Sequence, residues 1–241
     1  MKSQLGRVLA GVCAVAALAT TAACGSGTDD DSEGGAKKPA AGASAAAKEA
    51  ELKPLTEAQL KQAVISKEDV KGYRVGTTPD DEIPDVSVPA EPSSCQAIAD
   101  MMLLGTEPDA KARVSRSLSS LKATDATVIR VGLLAQGEAD AKKVVADLRT
   151  QSEKCASFEH TDYQYKKVEA HKAPAVGDEA VSYSMTAEIE GEKVPVTYTI
   201  VRSGSTLAVF YGANLLSAEQ AQVPQGMIEA QAAKLEKYAK S

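Results

Sequence analysis

The sequence predicts an α+β domain in which helices pack against an antiparallel, meander-rich sheet. Two segments towards the C-terminus, 181–189 and 194–202, alternate apolar and polar residues, which is typical of strands with one buried face, and an apolar run over 207–212 follows them. The turns between them are short: Glu190-Gly191-Glu192 predicts a hairpin, and Gly204-Ser205 predicts the next turn. Helical spacing occurs at both ends of the domain and once in its middle. Consecutive strands joined by hairpins favour an antiparallel sheet over a doubly wound parallel one.

Local patterns place the individual elements. Thr56, with Gln59 three residues later, is typical of a capping box and predicts the start of the first helix. The other helices are predicted from the recurrence of apolar residues every three or four positions. Helices are predicted over 56–65, 95–104, 138–155 and 217–240, the last broken near Pro224, and strands over 73–75, 112–121, 125–135, 163–170, 181–189, 194–202 and 207–212.

Charge and composition exclude some classes of partner. The chain has 241 residues and a formal net charge of −6. The first 23 residues hold two positive charges and no negative ones, so the remainder has 27 − 2 = 25 basic against 33 acidic residues, a net charge of −8. An acidic surface repels nucleic acid, which is therefore not an expected partner. Trp is absent and only 2 Phe occur, which limits deep stacking pockets for bases or sugars.

The first 25 residues have the organisation of an export signal. Lys2 and Arg7 precede an apolar run over 8–19, and small residues follow up to Ala23. The run is too short to span a bilayer of roughly 30 Å. Thr21-Ala22-Ala23-Cys24 resembles the lipobox of bacterial lipoproteins. The resemblance implies that the Cys24 thiol receives a fatty-acid anchor such as palmitate and that the chain is cut before Cys24.

Two alternatives to lipidation remain open. The family usually has leucine where this chain has Thr21, so an ordinary secretory signal cut nearby is one alternative and an uncut anchor helix is the other. On the preferred interpretation, residues 1–23 are a lipoprotein signal peptide, residues 24–54 are the lipidated Cys24 and a flexible tether, and residues 55–241 are the folded domain. The tether has no apolar period with which to bury a face. We expect the domain on the outer, extracytoplasmic face of the cell membrane.

Cys95 and Cys155 are the cysteines of the exported body. Two cysteines in an exported chain predict a disulfide, which here would join the start of one helix to the end of another. Closing a loop of about 60 residues would stabilise the fold by roughly 4 kcal/mol. A redox or metal site is the alternative, although no CxxC motif is present.

Motifs of known chemistry are missing from the sequence. It contains no GxSxG, HExxH, Walker loop or GxGxxG motif and no complete SxxK-type set, so no catalytic residue, cofactor or metal is assigned. His160 and His171 could ligate a metal with Glu159 or Asp162, but surface histidines are the preferred interpretation. The acidic runs at 29–31 and 80–82 lack the spacing of a calcium loop and are interpreted as solvated.

Two further groups of residues are candidates for ligand contact. Gly177-Asp178-Glu179 predicts a turn in which Gly177 adopts a positive φ and Asp178 bonds backbone N–H groups, with a ligand contact as the alternative. Tyrosines in the predicted strands could line a groove, although such tyrosines commonly pack one edge on the core. These tyrosines are Tyr163, Tyr165, Tyr183, Tyr198 and Tyr211.

The order of these features resembles a known family. Cys95 lies on a helix, Val128-Ile129-Arg130-Val131 on a strand, and an amphipathic helix ends at Cys155; Val176–Ala180 and Val194–Phe210 follow. Over about residues 55–240 this resembles the exported sensor domain of mycobacterial PknH-type receptor kinases and related actinobacterial lipoproteins. The resemblance implies a helix-backed antiparallel sheet with a cleft and a ligand-sensing role. PknH-type sensors carry two disulfides, whereas this body can form one. With no kinase domain or transmembrane helix expected, signalling would pass through another protein.

Two functions from different classes follow. The preferred hypothesis is a non-enzymatic, membrane-anchored domain that binds a small-molecule or protein ligand in a cleft between the sheet and the central helices. The alternative is a secreted cell-envelope hydrolase, which would need a nucleophile within hydrogen-bond reach of His160 or His171.

Overall fold

The computed structural model describes residues 52–78, 87–122, 124–214 and 219–239. Cys24, the predicted signal peptide, most of the predicted tether and the two acidic runs lie outside these residues. Within them, no helix is both long enough and apolar enough to cross a membrane.

Four α-helices and eight β-strands make up the described part of the chain. The α-helices are α1 (Glu57–Ala63), α2 (Gln96–Met102), α3 (Glu138–Lys154) and α4 (Gln225–Ala239). The strands are β1 (Tyr73–Thr77), β2 (Ala112–Ser120), β3 (Thr127–Ala135), β4 (Ser157–His160), β5 (Tyr163–His171), β6 (Glu179–Ile189), β7 (Glu192–Ser203) and β8 (Thr206–Asn214). Short 3₁₀ turns precede α2 at Ser93–Cys95 and α4 at Glu219–Ala221.

All eight strands join one antiparallel sheet in the order β1-β2-β3-β8-β7-β6-β5-β4. The predicted α+β class and the meander β6-β7-β8 are confirmed. Two features go beyond the local patterns. The short edge strand β4 had no predicted counterpart, because four residues are too few to show a period. The central pairing of β3 with β8 joins segments about 80 residues apart, for example Arg130 with Tyr211.

The sheet has a helix layer on each face, and each layer covers its own core. Helices α2 and α3 cover one face, and α1 and α4 cover the other. Because side chains alternate along a strand, the central strand β8 supplies both cores. Leu207 and Val209 point to the α2/α3 side, and Ala208 and Phe210 point to the α1/α4 side.

Polar side chains tie α1 to its surroundings. The predicted capping box is present: the Thr56 hydroxyl accepts from the Gln59 N–H, and the Gln59 side chain accepts from the Thr56 N–H at 2.9 Å. At the other end of α1, the buried amide of Gln231 in α4 accepts from the Ile65 N–H at 2.7 Å and donates to the Ala63 carbonyl at 2.9 Å. These bonds satisfy backbone groups that the end of α1 would otherwise leave unpaired.

The predicted disulfide between Cys95 and Cys155 is confirmed. Their Cα atoms are 5.6 Å apart, and the two residues are separated by 60 positions in the sequence. The bridge joins the turn that precedes α2 to the residue that follows α3. It therefore fixes α2 and β4 to the same end of α3.

A second fixed point is the Arg202 corner, formed by Gly177, Asp178, Glu179, Arg202 and Gly204. Arg202 donates to Glu179 at 2.6 Å, to Asp178 at 2.9 Å and to the Gly204 carbonyl at 2.9 Å. Asp178 also accepts from the Gly204 N–H at 2.7 Å, and Gly177 has φ +66°. This geometry agrees with the turn interpretation of Gly177-Asp178-Glu179.

The two ends of the sheet differ in what they carry. The β7–β8 turn, with the Arg202 corner, receives the first described residues, since the Ser205 hydroxyl donates to the Lys53 carbonyl at 3.2 Å. The β2–β3, β4–β5 and β6–β7 turns lie at the opposite end. From Ser203 to Val194 along β7 the separation is roughly 30 Å. We call this opposite end the cavity end, because the candidate site lies there.

Candidate ligand cavity

A cavity of about 230 Å³ lies between the sheet and the C-terminal end of α2. The roof is the segment Met101–Leu104, and the floor comes from β3, β8, β7, β6 and β5. His160 and Thr161, at the end of β4, form one wall. The position agrees with the predicted cleft between the sheet and the central helices. The floor residues are Arg130, Tyr163, Tyr165, Ala187, Ile189, Val194, Val196, Tyr198, Val209 and Tyr211.

Four side chains are aligned across the strands, and three of them line the floor while Tyr183 lies behind it; we call Tyr183, Tyr198 and Tyr211 the tyrosine row. Arg130 is opposite Tyr211, Tyr211 is opposite Tyr198, and Tyr198 is opposite Tyr183 in the strand registers. The rings of Tyr183 and Tyr198 stack with centroids 5.3 Å apart, and the ring of Tyr211 is tilted by 60° against Tyr198 at the same separation. Of the tyrosines predicted for a groove, four line the cavity, whereas Tyr183 is buried behind it.

Burial keeps the hydroxyls of the tyrosine row protonated. Desolvation raises the pKa of Tyr183, Tyr198 and Tyr211 above its usual value. The nearby Arg130 guanidinium acts in the opposite direction on the pKa of Tyr198 and of Tyr211. At neutral pH these side chains therefore present O–H donors beside one positive charge.

His160 is buried, with 1% of its surface exposed, and neither ring nitrogen has a hydrogen-bond partner among the described residues. Burial lowers the pKa of His160, while the Asp100 carboxylate and the Val88 backbone raise it more weakly. The ring is therefore neutral at pH 7. The Val88 backbone is near enough to act on its pKa, but no contact between a described residue and a ring nitrogen has the geometry of a hydrogen bond. Such an orphaned group costs about 1–3 kcal/mol. The expectation of a surface histidine is wrong for His160, because the disulfide and the β4–β5 pairing bring it onto the cavity face.

Two residues that line the cavity have strained backbone conformations. Leu104 in the roof has φ 54° and Thr161 in the wall has φ 50°, conformations that favour glycine. Thr161 and Asp162 form the two-residue turn between β4 and β5, where Asn-Gly would be the usual choice. Gly132 makes room for the roof, since a Cβ there would lie 2.7 Å from the Leu104 Cδ2 atom. The fold thus holds the cavity wall and roof in costly conformations.

His160 and His171 lie on opposite faces of the sheet. His160 is on the cavity face, whereas His171 is at the far end of β5 and lines a groove of about 480 Å³ on the opposite face. The His171 Nε2 atom is 2.6 Å from the Ser184 hydroxyl. Across the described ranges, no group of three or more His, Cys, Asp and Glu residues could hold a metal ion. The candidate metal set with Glu159 or Asp162 is therefore not assembled.

Arg130 and the α2 roof were not predicted as site residues. Arg130 is the charged residue of an otherwise apolar central strand, and this was the available signal. Its partner Tyr211 is 81 positions away, so the pattern around each residue could not pair them. The methionines of the roof follow an ordinary helical period, which predicts core packing equally well.

The chain is similar in fold to solved structures from mycobacteria. No protein-family model matches it, and no curated protein matches it in sequence. It is similar to the extracellular domain of PknH from Mycobacterium tuberculosis, with a TM-score of 0.51 and 13% identity over 78% of this chain and 98% of that one. An uncharacterised Mycobacterium smegmatis protein, the Rv0999 ortholog, gives a TM-score of 0.39 at 12% identity over 74% of this chain and 94% of its own. The predicted resemblance to the PknH sensor domain is thereby confirmed for the fold.

Proposed function

We propose that this protein is an exported, membrane-anchored lipoprotein whose α+β domain binds a small, largely apolar ligand without catalysing a reaction. The observation that carries the proposal is the preformed cavity of about 230 Å³ between the sheet and the α2 roof, whose wall includes the buried His160. A concave, mostly apolar cavity of this kind is typical of small-molecule sites.

The composition of the cavity supports a binding role. Ligand sites are mostly apolar and contain a few polar groups that orient the ligand. Here aliphatic and aromatic side chains dominate, and the polar groups are His160, Thr161, Arg130 and the tyrosine hydroxyls. The likeness in fold to the PknH extracellular domain is a supporting analogy for a sensor-like role outside the cytoplasm.

Occupancy is tested by extraction of the full chain from membranes of its native host, followed by mass spectrometry of the bound small molecules. Val194→Trp puts a large ring into the cavity at a half-buried strand position, and the bound compound should be lost. Leu121→Trp is the matched control, because Leu121 is exposed in the β2–β3 turn. Recovery of the same compound from both variants, or of none from the native protein, would contradict the proposal.

Membrane anchoring is tested separately at Cys24. Cys24→Ala should release the protein from membranes and abolish its labelling by a fatty-acid analogue, because the thiol is the proposed acylation site. Cys13→Ala, within the predicted apolar run, is the control and should leave both unchanged. Membrane retention and labelling that persist in Cys24→Ala would exclude lipidation at this residue.

One observation favours the hydrolase alternative. The contact between His171 and Ser184 is the kind of pair that a nucleophilic serine requires. Within the described ranges no carboxylate bonds to His171, and Ser184 lies in the middle of β6 and not on a sharp turn. A fluorophosphonate probe that labels the native protein and Ser182→Ala but not Ser184→Ala would establish this alternative. The absence of labelling would remove it.

A further inference from the structure

One side chain of the cavity floor carries a positive charge. It belongs to Arg130, an exposed residue of β3, whose guanidinium forms no ion pair with any described residue. The described residues that line the cavity include no Asp or Glu. An unpaired guanidinium at the edge of an apolar cavity favours an anionic group on whatever binds there.

A second donor lies beside Arg130. Tyr211 is opposite Arg130 in the β3–β8 register, and the guanidinium is close enough to oppose the desolvation that raises the Tyr211 pKa. The phenol is protonated at neutral pH and can donate. A forked guanidinium next to one O–H donor matches the two oxygens of a carboxylate.

The shape of the cavity restricts the rest of the ligand. The lining extends from Arg130 on β3 to His160 on β4, which is five strands away in the sheet. At about 4.8 Å per strand the separation across the strands is roughly 24 Å. A cavity that is long but has a volume of only about 230 Å³ accepts a slender molecule. Between its ends the lining is mostly apolar, with residues such as Met101, Val194 and Val196 beside the rings of Tyr165 and Tyr198.

These observations deepen the proposed function and rest on it. We infer that the ligand is a slender apolar monocarboxylate, of the fatty-acid or arylalkanoic type. Its carboxylate binds Arg130 and the Tyr211 hydroxyl, and its apolar body lies between the α2 roof and the tyrosine row. His160 forms part of the wall at the other end.

The test uses three probes of equal chain length and different charge. The full chain is reconstituted in phospholipid nanodiscs, and octanoate, 1-octanol and octylammonium are titrated by calorimetry, with empty nanodiscs as the blank. We expect octanoate to bind about tenfold more tightly than octanol, and octylammonium more weakly than either, because a charge-assisted hydrogen bond is gained or a like charge is opposed.

Variants assign the preference to Arg130. Arg130→Gln should make the octanoate and octanol affinities equal, and Arg130→Lys should retain part of the preference, since it keeps the charge but not the fork. Arg74→Gln, an exposed arginine on the edge strand β1, removes the same charge elsewhere and should leave the preference intact. A preference that survives in Arg130→Gln overturns the assignment.

The possible failures are distinguishable. If octanol binds as tightly as octanoate and both are lost in Val194→Trp, the cavity binds ligands but the anionic class is wrong. If no probe binds the native protein at millimolar concentration, both this inference and the proposed function are overturned.

Discussion

Two buried basic side chains at opposite ends of the sheet differ in their hydrogen bonding. At the Arg202 corner, Arg202 is 7% exposed and bonds two carboxylates and a carbonyl. At the cavity end, His160 is 1% exposed and neither of its ring nitrogens forms a hydrogen bond with a described residue. The backbone shows the same contrast. The corner uses a glycine at φ +66°, where glycine has no steric cost, whereas the cavity holds Leu104 and Thr161 in left-handed conformations.

The contrast separates a structural site from a binding site. A buried charge with every bond satisfied holds turns in place and offers nothing to a ligand. A buried ring without partners, surrounded by strained backbone, lowers stability and keeps its bonding capacity available. Substitutions at the Arg202 corner should therefore destabilise the fold. Substitutions that remove the buried imidazole or the backbone strain at the cavity should stabilise the fold, and loss of the imidazole should weaken ligand binding.

The disulfide should have the largest effect, because it connects both elements that frame the cavity to α3. We expect the double substitution Cys95→Ala with Cys155→Ala to lower the free energy of unfolding by about 4 kcal/mol. Urea denaturation of the oxidised native protein and the variant measures the difference. The native protein under strong reductant is the control and should resemble the variant. An equal stability of all three would show that the bridge does not support the fold.

A substitution at the Arg202 corner should lower the free energy of unfolding nearly as much. Gly177→Ala should cost about 3 kcal/mol, because the residue has φ +66° and the new Cβ would lie 2.5 Å from the Arg202 carbonyl oxygen. Gly191→Ala is the matched control, since Gly191 has φ +86° but no atom within 4 Å of a Cβ, and should cost only about 1 kcal/mol. Equal costs measured by denaturation would mean that the corner is not tightly packed.

His160→Leu should have the opposite sign. Replacing an orphaned buried imidazole by an apolar side chain of similar size should raise the free energy of unfolding by about 1–2 kcal/mol. The same change should weaken binding of any ligand that bonds the ring. Thermal denaturation and ligand titration of the same samples measure both. A destabilised variant would indicate that the ring has polar partners in solution and is not held open for a ligand.

The stability of the native protein should also depend on pH through His160. Burial lowers its pKa in the fold, whereas the unfolded chain has a pKa of about 6.5. Below about pH 6.5 the unfolded state binds a proton that the native state does not, so the free energy of unfolding falls as pH falls. Above that pH the residue contributes nothing. Urea midpoints between about pH 7.5 and 5.5 should show this decline, above the range where carboxylates titrate.

Variants identify the group responsible for the decline. His160→Leu should flatten it, and His171→Leu should retain it, because His171 is exposed on the other face. If the decline disappears in His171→Leu instead, the pH dependence comes from His171 and not from His160.

Removing the backbone strain at Thr161 in the β4–β5 turn should have the smallest effect on stability. Thr161→Asn keeps a polar side chain and replaces a β-branched residue at φ 50° with one that tolerates this conformation, so stability should rise by up to about 1 kcal/mol. The Thr161 hydroxyl, which donates to the His160 carbonyl, would be lost from the cavity wall. The melting temperature is the measurement, and a lower value would show that this bond outweighs the strain.

Much of the fold could be predicted because its elements have local causes. The observed α3, Glu138–Lys154, differs by one residue from the predicted helix, and the hairpin at Glu190-Gly191-Glu192 lies where the glycine predicts it. Strand β4 could not be predicted, because it exists only through pairing with β5. The disulfide was predictable from export and a count of two cysteines, which does not require knowledge of the fold.

The sequence by itself determined the α+β class, the disulfide and the order of the elements other than β4, since each depends on neighbours within a few positions or on composition; the lipid anchor at Cys24 stays a prediction. Only the tertiary structure decided that Arg130 lies beside Tyr211, that His160 is buried without a partner, and that both face one cavity. These residues meet through the β3–β8 pairing and the sheet edge, across separations of 30 to 81 positions. Periodicity records which face of a strand is buried, but it does not record which strand lies next to it.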